Sequence, residues 1–317
     1  MKESKAKSIA GLSLGGGKKE NFFFCLLEFF EDKNRWFLTS LNPVKEESHL
    51  TQDEAIMNWV NNTDLKQLLV DFPLSKPPCE TCDLVCPGIE KCHHPVVSDV
   101  KQVMNSLLEE DKKRVENNPK KYEQERVEDE MVDYSRCVLE KETSDHILSK
   151  SFKRKLKKGF VPYWNRPLDV WVWINYYDQM LSTFQSSYDS FGNVSVMLLH
   201  KFHYLLRHLP RELQIFESSV QITLLELYRS KIISKKNILE LTDHNVATLA
   251  RVRIAKKIEE KLNIFIYEKD LALISKNPKA FDSFLLALAG RSLILQETKK
   301  IPEFGVKDKS MFVVPLF

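Results

Sequence analysis

The stretch that decides the fold is "SIAGLSLGGGKKENFFFCLLEFF", residues 8–30. It contains two apolar runs of strand length on either side of a glycine-rich turn, so we expect a β-hairpin. "RWFLTSL", residues 35–41, follows a short polar turn and predicts a third strand. The first strand ends at Ser13 and Leu14. The N-terminal part of the chain is therefore expected to form a meander of three antiparallel strands.

The composition is that of an ordinary globular protein, with 317 residues, 43% hydrophobic and 29% charged. A formal net charge of +3 is too small to argue for a nucleic-acid partner, although it allows a locally basic groove. The most apolar run, "FFFCLLEFF", is interrupted by Glu28 and is far shorter than the about 20 residues of a membrane helix. No secretion-signal pattern is visible, so we expect a cytoplasmic protein with no membrane partner and with reduced thiols.

Three acidic residues stand where a strand ends or a helix begins. The segment "LLVDFP" predicts a buried strand that delivers Asp71 to its C-terminal edge. A later apolar strand ends at Glu217, directly before a helix. A largely apolar helix that starts with Pro278 carries Asp282 in its first turns. Each carboxylate is explained either by a local cap or helix-start charge or by a shared site.

A cluster of cysteines follows the Asp71 strand. Four thiols within fourteen residues of a reduced protein indicate metal binding rather than disulfides. A Cys₄ set suits Zn²⁺, and so compact a run also suits an iron–sulfur cluster; we favour zinc because nothing else in the chain indicates electron transfer. His93 or His94 could replace one thiol. We expect a structural metal that pins the loop 79–94 beside Asp71. The four cysteines are Cys79, Cys82, Cys86 and Cys92.

Several segments together resemble the ordered blocks of a family of predicted nucleases, a domain of unknown function with a ribonuclease-H-like fold. That family has a G-I-D first strand, a V-D-x-P-L-S strand end, an acid at the end of a later strand and a D-A-x-x-A-like final helix. The resemblance covers nearly the whole chain and is most specific in the Pro-Leu-Ser and cysteine block. The matching segments are "IAGLSLGGGK", "LLVDFPLSKPPC…CPGIEKC", "SRCVLEKETSD", "IFESSVQITLLELY" and "AFDSFLLALAG".

The resemblance implies an α/β fold. We expect a ribonuclease-H-like mixed sheet in which three antiparallel strands are extended by parallel strands, flanked by helices. It further implies one domain over residues 1–317, with the metal-binding cysteine loop at 79–94 and a helical insertion at about 96–210.

The resemblance also implies a metal-dependent nuclease. Asp71, Glu217 and Asp282 would converge and hold Mg²⁺ or Mn²⁺ for hydrolysis of a phosphodiester. Ser13, however, stands where the family has its first-strand aspartate, and a neutral hydroxyl is a poor bridging ligand. We therefore expect an impaired nuclease, or alternatively a catalytically inactive module that binds nucleic acid or a protein partner. Asp145, with Arg136 nearby in sequence, is a further candidate for the site.

Two further segments have competing interpretations. "SFKRKLKKGF", residues 151–160, is strongly basic and predicts either a contact with phosphates or an ordinary basic surface. "VPYWNRPLDVWVWINYYDQM", residues 161–180, is rich in aromatic residues, for which a packed core or a subunit contact is favoured over base stacking. A kinase-type phosphate-binding turn at "GLSLGGGKK" is disfavoured, because Lys19 stands where a P-loop needs Ser or Thr.

Overall fold

The structure is a computed structural model that describes most of the chain in two compact units. The first unit comprises the described parts of Met1–Leu74, Val194–Lys300 and Met311–Phe317, and the second those of Ser75–Asn193 and Ile301–Ser310. The helical insertion predicted at about 96–210 overlaps the second unit. The described residues are 7–14, 22–44, 50–63, 65–120, 138–140, 148–186, 188–189, 196–302 and 312–317.

The first unit is built around a mixed sheet, and the fold is therefore α/β, as expected. In the described residues its seven strands follow the order β6-β3-β2-β1-β4-β5-β7. The first three strands pair antiparallel, which confirms the predicted meander, and each of the other neighbouring pairs is parallel. The strands are β1 (Lys7–Ser13), β2 (Phe22–Phe30), β3 (Arg35–Val44), β4 (Gln67–Val70), β5 (Gln214–Ser218), β6 (Ile264–Phe265) and β7 (Phe312–Val313).

Helices make up most of the rest of the described chain. Helices α2, α3 and α4 belong to the second unit and the others to the first. They are α1 (Gln52–Asn62), α2 (Pro95–Asn117), α3 (Lys150–Lys158), α4 (Pro167–Phe184), α5 (Val196–Leu206), α6 (Val220–Arg229), α7 (Lys235–Leu241), α8 (Ala247–Lys261), α9 (Glu268–Lys276) and α10 (Pro278–Ile294).

Local sequence signals determine where several of these helices begin. Thr51 caps α1 and forms a capping box with Glu54. Asn277 caps α10, and Pro278 takes its first position, where a missing N–H costs nothing. Ser219 caps α6 directly after β5. The Ser219 cap thus places Glu217 at a junction between a strand and a helix, and the Asn277 cap places Asp282 in the first turns of α10.

The two faces of the sheet pack against different partners. Ala10 and Leu12 of β1 lie in an apolar core that also contains residues of α1 and α5. Side chains alternate along a strand, so Gly11 lies on the other face. There the backbone of α10 approaches so closely that a methyl group on Gly11 would come within 2.5 Å of the Ala287 nitrogen. Helix α10 is thus held directly against β1, the strand that ends at Ser13.

The second unit has its own core, formed by α2, α3 and α4. Trp173 and Tyr176 of α4 are almost fully buried, which confirms a packed core for these aromatic residues. The buried Arg166 guanidinium pairs with the buried Asp169 carboxylate at the start of α4, 3.1 Å apart. Among the described residues, no helix combines the length and the apolar character that crossing a membrane requires.

Candidate functional site

The ends of β1 and β4 meet at one edge of the sheet. Leu12 and Val70 are partners in the parallel register, so the residues that follow them lie side by side. The Ser13 hydroxyl donates a 2.8 Å hydrogen bond to Asp71 Oδ2, and the Leu14 amide donates to Asp71 Oδ1 at 3.3 Å. Ser13 is fully buried. Asp71 is therefore held by the strand end that the sequence analysis singled out for its missing acid.

Helix α10 brings a second carboxylate and a lysine to the same place. Lys279 and Asp282 lie three residues apart and face each other on the helix surface. The Lys279 Nζ lies 3.0 Å from Asp282 Oδ2 and 3.7 Å from Asp71 Oδ2. The ammonium thus connects two carboxylates that are more than 200 residues apart in sequence. Asp71 Oδ2 therefore has two neighbouring donors, the Ser13 hydroxyl and the Lys279 ammonium.

The pKa values of this cluster follow from burial and charge. Burial raises the pKa of the Asp282 carboxyl above its usual value; the Lys279 charge opposes the rise and the Asp71 charge adds to it. Burial works to lower the pKa of the Lys279 ammonium, but the charges of Asp282 and Asp71 outweigh it and raise that pKa. The Lys279 charge therefore favours the ionised form of Asp282, and the Asp282 charge favours the ionised form of Lys279.

A second cation lies near Asp282. Burial lowers the pKa of the Arg251 guanidinium on α8, and the Asp282 charge partly offsets this. Arg251 donates two hydrogen bonds, from Nε and Nη2, to the carbonyl of Ser275, at 2.9 and 2.6 Å. Arg251 therefore adds a second positive charge to the surroundings of Asp282.

Glu217 is placed differently from the other two predicted acids. It is paired in register with Val70, so by alternation its side chain leaves the sheet on the Val70 face, opposite to Ser13. Its Oε2 accepts the Leu74 amide at 3.1 Å, and the residue is 1% exposed. The structure thus brings Asp71 and Asp282 together through Lys279, and it seats Glu217 against the backbone that follows Asp71.

Two members of this cluster were not predicted from the sequence. One is Lys279, whose signal is a basic residue three positions before Asp282 on the predicted helix. The other is Arg251, for which no local signal exists. Asp145 and Arg136 lie outside the described residues.

The donor set decides whether a two-ion centre fits here. Two divalent ions need several carboxylates to bridge and hold them. Asp71 and Asp282 instead share one ammonium, and Asp71 also accepts hydrogen bonds from the neutral Ser13 hydroxyl and the Leu14 amide. In the described part of the chain, no group of three or more His, Cys, Asp or Glu side chains is arranged to hold a metal ion. The described side chains around Asp71 do not fit a two-ion centre.

The four cysteines lie in a loop of the second unit between a 3₁₀ turn (Pro78–Thr81) and the start of α2. The Cys79 amide donates to the carbonyl of Pro162 at 3.0 Å and ties the loop to the chain before α4. Partial loss of solvation raises the pKa of the Cys79 thiol, and the charges of the thiols at 92, 82 and 86 raise it further. The electrostatic influence of the other three cysteines thus adds to the effect of burial at Cys79.

The histidines beside Cys92 add a further donor. His94 is the N-cap residue of α2 and directly precedes Pro95. Its Nδ1 is buried, and no hydrogen-bond partner for it is found among the described residues. An imidazole nitrogen and thiolates are both ligands that zinc accepts. These residue types are ones that zinc accepts, but in the described residues the thiols and imidazoles of this loop are not arranged in a group that could hold a metal ion.

Comparison with protein-family models, with curated proteins and with solved structures finds no significant match to the chain. The assignment of a function therefore depends on the topology of the sheet and on the arrangement of the site.

Proposed function

We propose that the chain is a ribonuclease-H-like module whose acidic site no longer assembles a metal centre and which binds a partner without cleaving it. The strand order supports the fold: three consecutive antiparallel strands continue through β1 into parallel β4 and β5. The position of the acids supports the relationship to nucleases, because Asp71 follows β4 and Asp282 lies on α10. Both positions are those that the family resemblance implies.

The observation that carries the non-catalytic proposal is the Lys279 ammonium between Asp71 and Asp282. An ammonium at this point supplies the positive charge that a nuclease would take from a divalent ion. A metal ion would have to displace Lys279 and would then find two carboxylates and the Ser13 hydroxyl. Divalent ions bind most tightly to sets of several carboxylates, so this set favours weak binding at best.

One set of measurements tests this function. We expect the wild-type protein to leave labelled single- and double-stranded DNA and RNA intact with millimolar Mg²⁺ or Mn²⁺, and isothermal titration to give no saturable metal binding. Ser13→Asp places a third carboxylate beside Asp71, so Mn²⁺ should raise its thermal midpoint more than that of the wild type. Metal-dependent cleavage that Asp71→Asn abolishes and the exposed control Asp32→Asn retains would overturn the proposal.

A metal-dependent nuclease is the second candidate. It is favoured by one observation: two carboxylates from different elements both reach a single cation, 3.0 and 3.7 Å away. If a single Mg²⁺ or Mn²⁺ replaces the ammonium, Asp71 and Asp282 would bind it and Glu217 would support the adjoining backbone. The cleavage measurements above distinguish the two candidates directly.

For the cysteine loop we propose one structural metal ion, with zinc favoured over an iron–sulfur cluster. Support comes from the C-x₂-C-x₃-C-x₅-C spacing and from the interaction of three thiols with Cys79. The ligands would be Cys79, Cys82, Cys86 and Cys92, and His94 offers an alternative to one of them. The metal would order a loop that has little regular secondary structure of its own.

A further inference from the structure

Helix α3 in the second unit presents two different surfaces. Phe152 and Leu156 are buried in the core of that unit. Lys153 and Lys155 are only partly exposed and pair with carboxylates, at 2.6 Å from Asp111 Oδ2 and 2.8 Å from Asp189 Oδ1. The remaining basic side chains, Lys150, Arg154, Lys157 and Lys158, are exposed. At spacings of four, three and one residues they form a cationic strip along the solvent side of the helix.

Two exposed aromatic side chains follow this helix. Tyr163 is 61% exposed and Trp164 is 43% exposed, whereas Trp173 of the same unit is 1% exposed. The turn that carries them is well defined, because the Trp164 amide donates to the Val161 carbonyl and Pro162 accepts from Cys79. Because Tyr163 and Trp164 are adjacent, they expose two aromatic rings together, and apolar side chains that are exposed together can mark an interaction site.

The cationic strip and the aromatic pair are close enough to act together. Gly159 ends α3 with a left-handed φ of 81°, and Tyr163 lies five positions after Lys158. That length of chain spans at most about 17 Å. Proteins that hold single-stranded nucleic acid over about 4–16 nucleotides combine basic side chains for the phosphates with aromatic side chains for the bases. The cationic strip and the aromatic pair are therefore close enough for one strand of that length to contact both.

We propose that the second unit binds single-stranded DNA or RNA on this surface, with phosphates on Arg154, Lys157 and Lys158 and unpaired bases on Tyr163 and Trp164. A duplex would use only the cations, because its bases are stacked inside, so the aromatic pair favours a single strand. The inference goes beyond the proposed function, because it concerns a different surface and holds whether or not the acidic site cleaves nucleic acid.

Fluorescence anisotropy with labelled oligothymidylate and oligouridylate, in EDTA to prevent any metal-dependent cleavage, tests the phosphate contacts. Lys157→Glu/Lys158→Glu should weaken binding at least about tenfold and should reduce the slope of log K against log salt by about 1.4, since each phosphate contact contributes about 0.7. The matched control is Lys112→Glu/Lys113→Glu, which makes the same charge change on exposed lysines of α2. It should bind like the wild type.

The aromatic contacts are tested separately. Tyr163→Ala/Trp164→Ala should weaken binding about 5- to 150-fold per stacked base with an unchanged salt slope, because stacking is not ionic. The intrinsic tryptophan fluorescence of the wild type should be quenched on binding, and this quench should be smaller in Trp164→Phe. The proposal would be overturned if Lys157→Glu/Lys158→Glu bound as tightly as the control Lys112→Glu/Lys113→Glu. It would also be overturned if the wild type bound a duplex of the same length equally well, or if it showed no measurable binding at low salt. None of these outcomes depends on the cleavage measurements.

Discussion

At the scale of single residues, the chemistry of the acidic site is set by what faces Asp71. A carboxylate at position 13 would lie beside Asp71 and repel it, and a cation would then have to bind between them. The Ser13 hydroxyl instead donates a hydrogen bond to Asp71 Oδ2, and Lys279 supplies the positive charge. The hydroxyl at position 13 and the lysine at position 279 are thus two parts of one electrostatic arrangement around Asp71.

Removing the lysine should destabilise the protein in a pH-dependent way. Without metal, Lys279→Met leaves Asp71 and Asp282 without their shared cation. We expect the free energy of unfolding to fall by about 1–3 kcal/mol at neutral pH. This loss is smaller than for a fully buried ion pair, because the Lys279 side chain is 30% exposed. The folded-state pKa of Asp282 is already raised, so its ionisation opposes folding once the pH exceeds the ordinary carboxyl value of about 3.9. The difference from the wild type should therefore shrink as the pH falls toward that value.

Urea unfolding in EDTA at a series of pH values measures this difference. Lys276→Met, which removes an exposed lysine from the end of α9, is the matched control and should change the free energy of unfolding little at any pH. A loss of stability in Lys279→Met that stays constant or grows toward low pH would show that Asp282 is not the group responsible.

At the scale of elements, the parts of the fold with local signals could be predicted and the parts that depend on packing could not. The two apolar runs at residues 8–30 are a local signal, and they form the antiparallel pair of strands that was predicted. The capping box of Thr51 and Glu54 is equally local. Strands β6 and β7 contain two residues each, too few for any pattern to be recognised. The side on which Glu217 leaves the sheet depends on the register of β4 and β5, which no single segment encodes.

The contact of α10 with β1 is the element-level feature on which the acidic site depends. A methyl group at Gly11 would meet backbone atoms of α10, 2.5 Å from the Ala287 nitrogen, and backbone cannot move aside. We expect Gly11→Ala to destabilise the first unit by at least about 3 kcal/mol. Hydrogen exchange of the β1 amides reports the loss locally.

Gly290→Ala provides the comparison for this prediction. The added methyl group would meet only side-chain atoms, those of Ile9 and Leu69, which can shift. Replacing glycine inside a helix also gains about 1 kcal/mol of helix propensity. Gly290→Ala should therefore cost clearly less than Gly11→Ala, and an equal or larger cost would contradict the argument that the close backbone approach at Gly11 is what matters.

At the scale of the whole molecule, the sequence separates two kinds of potential site. The acids lie in the first unit, where residues far apart in sequence meet only because the sheet is complete. The cysteines lie within fourteen residues in the second unit, so their proximity follows from spacing alone and could be predicted without a fold. The pair Asp71–Asp282 could be proposed only from a family resemblance, because its geometry requires β1, β4 and α10 together.

The last prediction concerns the metal of the cysteine loop. Elemental analysis of anaerobically purified protein should give about one zinc per chain, and the sample should not absorb visible light, because Zn²⁺ has a filled d shell. Cys82→Ser should lower the zinc content, whereas Cys25→Ala, which removes a buried thiol of the first unit, should keep it. Chelation should lower the stability of the second unit, by about 4 kcal/mol if free zinc was about a thousand times its Kd. A brown sample that contains iron would instead show that the loop holds an iron–sulfur cluster. Two results would contradict the ligand role that the spacing of the thiols indicates. One is a metal-free protein that does not bind added zinc, and the other is a Cys82→Ser variant with full zinc content.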